Sequence, residues 1–93
     1  MRVIERTSQF KRDYRRESRG RHGASLDASL VPVLEASAQD VPLEHRHHDH
    51  ALGGEWADHR DCHVRPGLVL IYQKPDVDTL RLVRLGSHSE LGL

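Results

Sequence analysis

The chain has 93 residues, one cysteine, eight histidines and 14 basic side chains against 14 acidic ones. That length predicts one domain, residues 1–93, with a modest core, and the lone Cys62 excludes an intrachain disulfide or a four-thiolate zinc site. No apolar run is long enough to span a membrane and no signal-like start is visible, so the expectation is a soluble cytoplasmic protein with no membrane partner.

RVIERT is short and partly β-branched, and it predicts a strand over Arg2–Arg6. Ser8 is the predicted cap of a helix from Gln9 to about Arg19, with Phe10 and Tyr14 stacked at i, i+4. The neutral total hides an asymmetry here. Arg2, Arg6, Lys11, Arg12, Arg15, Arg16, Arg19 and Arg21 face only Glu5, Asp13 and Glu17. A local basic face binds phosphate backbone even on a neutral chain, although on charge alone a solvated helix face is the simpler account. Gly20–Gly23 breaks the helix, and His22 reads as loop.

A second helix is predicted from Ser25 or Leu26 to about Ala38, with Leu26, Leu30, Val33 and Leu34 as its apolar stripe. Pro32 inside it predicts a kink or a late start near Ser29. Residues 39–54 are polar and lack a period. Three strand-like runs follow: Trp56 to Val64, ended by Pro66; Leu68 to Lys74, largely apolar; and Thr79 to Leu85, alternating. Pro75–Asp78 reads as the hairpin turn between the last two. The order βααβββ predicts an α+β fold, a mostly antiparallel sheet with two helices on one face.

Six of the eight histidines lie between Glu44 and His63. His45, His47, His48 and His50 are clustered, but a loop carrying Arg46 and Asp49 offers only weak, adventitious metal binding. His45, His47 and His48 read individually as solvated loop. If Trp56 to Val64 is extended, Glu55, Ala57, His59, Asp61 and His63 share one face. Trp56, Asp58, Arg60, Cys62 and Val64 share the other, which makes Cys62 a packed residue beside Trp56 and Val64. Asp61 next to His63 is expected to raise the imidazole pKa. That pair fits an acid–base unit or an ordinary surface ion pair, and spacing does not choose.

Taken together, FKRD (Phe10–Asp13), DHALGGEW (Asp49–Trp56), RDCHVRP (Arg60–Pro66), LVLIY (Leu68–Tyr72) and RLGSHSEL (Arg84–Leu91) form a family pattern. The chain resembles the YafQ branch of the RelE/ParE toxin superfamily over nearly its whole length. The resemblance implies a compact microbial-ribonuclease-like fold. It implies a bacterial type II toxin that cleaves translated mRNA at the ribosomal A site, without metal or other cofactor. The implied partners are the ribosome with its mRNA and ribosomal RNA, and a cognate antitoxin, expected to be of ribbon-helix-helix type, through which alone operator DNA is contacted.

Carried onto this chain, the resemblance places catalytic roles on His50, Asp61, His63, Arg84 and His88. His88 is the general acid, and His50 and His63 serve as base or phosphate ligand. Arg84, joined by Arg60, stabilises negative charge. Lys11, Arg12, Arg15, Arg16 and Arg19 dock on ribosomal RNA, and Arg60 is also expected among the residues that bind RNA or the ribosome. The chain departs from the pattern at Gly67, where an acid is usual, at Gly92, where an aromatic is usual, and at Asp58 and His59, where a glycine and an aromatic are usual. Gly67 and Gly92 leave open an attenuated homologue acting mainly as an antitoxin-binding, operon-regulating protein, and the histidine loop by itself leaves open a metal-binding module.

Overall fold

A computed structural model of the chain describes residues 1–20 and 23–93; the loop reading of His22 lies outside them. Five strands, β1 (Val3–Arg6), β2 (His50–Ala51), β3 (Arg60–Arg65), β4 (Leu68–Gln73) and β5 (Thr79–Gly86), form one sheet in the order β1-β5-β4-β3-β2. All neighbours are antiparallel except β1 and β5, which run parallel. Among the described residues, three α-helices complete the fold: α1 (Ser8–Ser18), α2 (Leu26–Ala38) and α3 (His88–Leu91). The predicted α+β class holds, with β2 and α3 added to the predicted order. No helix among the described residues is long and apolar enough to cross a membrane.

Both long helices cover the same face of the sheet. Phe10 of α1 and Leu26, Leu30, Val33 and Ala38 of α2 pack on Cys62, Val64, Leu68, Leu70, Tyr72, Leu80, Leu82 and Leu85. The run LVLIY is buried throughout because β4 is covered on both sides. Its alternate residues Val69 and Ile71 join Leu91, Leu52, Trp56 and Val83 in a smaller cluster on the opposite face. That second cluster is the apolar floor of the site described below.

Several local details differ from expectation. Thr7, not Ser8, caps α1: its hydroxyl accepts the amide of Phe10 at 3.1 Å and donates to the carbonyl of Val83 at 3.0 Å. α2 starts at Leu26 and runs through Pro32, which lies on the exposed side, as does Ala28, one turn before it. The carbonyl that Pro32 leaves without a donor therefore falls on the solvent-facing side. The strand predicted over Trp56 to Val64 is shorter at its start. Gly54–Trp56 forms a 3₁₀ turn and Asp58 is left-handed (φ 67°), so extended backbone begins only at Arg60. Asp58 thus occupies a conformation that suits the glycine usual at this position. Trp56 consequently packs on the face opposite Cys62, with His59 edge-on to its ring at 5.4 Å.

The alternation in β5 is also interrupted. The register slips between Ile71 and Tyr72, which pair with Arg84 and Leu82, leaving Val83 as the extra residue. This bulge lets Leu82 and Leu85 both meet the helices while Val83 packs in the opposite cluster.

Candidate functional site

The face of the sheet away from α1 and α2 carries the histidines. The register sets His50, Asp61, Ile71 and Arg84 in one row across four strands. His63, Val69 and Gly86 form the next row. Two residues beyond Gly86, His88 opens α3 and brings its ring edge-on to His63, with centroids 5.0 Å apart. Strand pairing and one short helix thus gather residues separated by up to 38 positions.

Asp61 is the buried centre of this group, with 2% of its surface exposed. Its Oδ1 lies 3.0 Å from Nδ1 of His50 but accepts no aligned hydrogen bond. The N–H at that nitrogen is directed instead to the carbonyl of His48, 2.7 Å away. Burial pushes the Asp61 carboxyl above its ordinary range, against the pull of His50, His63 and His88.

His63 shifts opposite to the expectation. Burial leads, and the neighbouring rings of His88 and His48 add to it, so its pKa is lowered despite Asp61. Like charges beside an imidazole disfavour its protonation, and here they outweigh the one carboxylate.

The loop histidines are not all bystanders. His47 donates from Nδ1 to the carbonyl of His63 at 2.6 Å, and the His48 ring lies 5.2 Å from that of His63. His48 holds a left-handed backbone (φ 47°), which points its carbonyl at His50 while its ring meets His63. Sequence spacing gave no sign of this, because it depends on the 3₁₀ turn His45–His47 folding back against β3. His45 remains exposed.

The cations expected at the site or on RNA divide into four groups. Arg84 stands beside the site and is held by buried Asp13, through Nε at 2.7 Å and Nη2 at 3.3 Å. Arg60 pairs across the sheet with Tyr72 and shares its face, away from the imidazoles, where Asp49 binds it at 3.3 Å and raises its pKa. A charge-stabilising role for Arg60 is therefore not supported by its position. Lys11, Arg12, Arg15 and Arg19 are exposed along α1 and have no carboxylate partner among the described residues. Arg16 differs from them: its guanidinium is tied to Asp13, Glu17, Glu90 and the carbonyl of Leu85.

Cys62 is fully buried on the helix side and its thiol is pushed up to about 12 by burial, so it is a packing residue. Gly67 takes a left-handed conformation (φ 83°) in the two-residue turn with Pro66, which joins β3 to β4. A tight Pro-Gly turn explains this residue in place of a carboxylate. Among the described residues, no group of three or more His, Cys, Asp or Glu side chains is arranged to hold a metal ion.

The five-stranded α+β fold, with imidazoles, a buried carboxylate and an arginine on one open face, is that of a class of small bacterial toxins. The family described as "Bacterial toxin of type II toxin-antitoxin system, YafQ" matches residues 2–92. The mRNA interferase toxin YafQ of Escherichia coli K12 is 32% identical over 90 residues, covering 97% of this chain and 95% of its own. A metal-bound toxin from Helicobacter pylori superposes with a TM-score of 0.87 at 39% identity, over 98% of this chain and 99% of that one. YafQ in the E. coli DinJ–YafQ complex superposes with a TM-score of 0.83 at 30% identity, over 98% of both chains. The chain belongs to the YafQ family of type II toxin–antitoxin toxins.

Proposed function

We propose that this chain is the toxin of a type II toxin–antitoxin pair and an endoribonuclease that cuts mRNA on the ribosome in the cytoplasm. The observation that carries this reading is the convergence of His50, His63 and His88 around buried Asp61, with Arg84 at the end of the same row. RNA cleavage by the 2′-hydroxyl needs a base for that proton, an acid for the 5′-oxygen that leaves, and positive charge for the pentavalent phosphate. Two imidazoles supply the proton transfers, each worth roughly 10²–10⁴-fold.

His63, whose pKa is lowered by burial and by its histidine neighbours, is suited to take the 2′-hydroxyl proton. The oxygen then attacks phosphorus, the P–O5′ bond breaks, and His88 protonates the departing 5′-oxygen, leaving a 2′,3′-cyclic phosphate. His50, held between Asp61 and the His48 carbonyl, meets a phosphate oxygen. Nη1 of Arg84, which makes no hydrogen bond among the described residues, faces the developing charge. Lys11, Arg12, Arg15 and Arg19 hold the toxin on ribosomal RNA.

The partner is a cognate antitoxin of ribbon-helix-helix type, as DinJ partners YafQ in E. coli, with operator DNA reached only through it. A second reading, an attenuated homologue that mainly binds antitoxin, draws on Gly67 and Gly92. Purified protein separates the two. The nuclease cuts mRNA in programmed ribosomes and leaves the same RNA intact without them. Antitoxin binding with no cuts in either sample establishes the second reading.

A further inference from the structure

The proposed acid, His88, sits on a helix of only four residues at the end of the chain. Such a helix does not hold its own position by propensity. Its N-terminus is closed by a capping box: the Ser87 hydroxyl accepts the Glu90 amide at 3.2 Å, and Glu90 Oε1 accepts the Ser87 amide at 2.8 Å. The second carboxylate oxygen of Glu90 lies 3.3 Å from Nε of Arg16 on α1.

Arg16 in turn donates from Nη1 to Asp13 at 2.9 Å and from Nη2 to the Leu85 carbonyl at 2.9 Å. Nε donates its one hydrogen to Glu17 at 3.1 Å and meets Glu90 as an ion pair, so all three nitrogens are committed inside the molecule, although the side chain is 43% exposed. Asp13 also accepts the Leu85 amide at 3.0 Å and both contacts from Arg84. β1 pairs with β5 only as far as Leu82, so Asp13 and Arg16 take up the backbone groups of Leu85 beyond that point. Burial alone would push the Asp13 carboxyl up; Arg84, the Leu85 amide and Arg16 hold it below its ordinary value.

We infer that Asp13, Arg16 and Glu90 are positioning residues. They lock α3 to the end of β5 and so hold His88 over His63 beside Arg84. Arg16 therefore serves the site from within and is not one of the cations that dock on RNA. The inference rests on the reading of His88 as a group that meets substrate.

The test measures kcat and the half-saturating ribosome concentration for purified variants, with ring-proton NMR of His63 and His88. Arg16→Ala and Glu90→Ala should each lower kcat roughly 10- to 100-fold, the scale of a misplaced reacting group. Both should leave half-saturation and its salt dependence within about twofold, because α1's docking cations are untouched. Arg12→Ala should show the reverse pattern. Glu90→Gln, which keeps the capping box, should retain more activity than Glu90→Ala. The His63–His88 ring contact should be seen in the wild type and lost in Arg16→Ala and Glu90→Ala. Antitoxin binding and a cooperative melt verify folding, and if Asp13 variants fail to fold, these two surface positions still decide the matter.

A rise in half-saturation with kcat intact in Arg16→Ala makes Arg16 a docking cation and overturns the inference. So does an unchanged ring contact in both variants. If the wild type cuts nothing, the nuclease reading fails, while the ring contact still judges the positioning network.

Discussion

Asp61 has an oxygen that accepts no aligned hydrogen bond and a carboxyl pushed up by burial, which marks it as a residue kept against stability. Leaving a buried polar atom unsatisfied costs about 1–3 kcal/mol. A raised carboxyl pKa stabilises the fold below the unfolded pKa, and that contribution is lost as pH rises through the folded one. Asp61→Asn should therefore raise the melting temperature at pH 7, by roughly 4–8 °C for each kcal/mol recovered, while mRNA cleavage falls; calorimetry beside a cleavage assay checks both. His48 gives a second prediction at this scale. It is one of the groups that lower the His63 pKa, and asparagine tolerates its left-handed backbone. His48→Asn should move the acid limb of the rate–pH profile to higher pH, because a less perturbed His63 loses its proton later. The limb is set by His63 together with His50, His88 and Asp61, which face it, so the profile reports the group.

At the scale of elements, α3 is the part of the site most dependent on its ends. Its N-terminus has the Ser87–Glu90 box, and its C-terminus has Gly92 in the left-handed region (φ 73°), with the Leu93 amide returning to the His88 carbonyl at 2.9 Å. Gly92→Ala should cost about 1 kcal/mol in a denaturant melt, from the left-handed backbone, yet lower kcat by more than that loss of folded protein explains. The sequence pattern showed β4, the stripe of α2 and the strand positions of Asp61 and His63, because each follows from periodicity over a buried face. S-x-x-E at Ser87–Glu90 is a helix start legible in the sequence. β2, at two residues, is too short to show a period, and the bulge at Val83 and the left-handed Asp58 break alternation through backbone geometry that composition does not reveal. Placing His48 against His63 needed the fold-back of a whole loop, while the roles of His50, His63 and His88 came from family resemblance and not from spacing.

Across the whole molecule, the neutral total conceals two faces of different use. The exposed cations of α1 form an electrostatic surface, and the histidine face is the one on which the reaction is proposed. Replacing Arg12 and Arg15 with Ala should weaken ribosome binding. It should also reduce the slope of log affinity against log salt by roughly 0.7–0.9 per cation, while kcat at saturation is kept; a sedimentation titration at several salt concentrations measures this. The proposed function depends most on His88 acting on mRNA during translation. Primer extension on a translated message after induction of wild type and of His88→Ala tests it directly. Codon-phased cuts are expected with the wild type and none with a folded, antitoxin-binding His88→Ala. Equal cutting by the two proteins would contradict it.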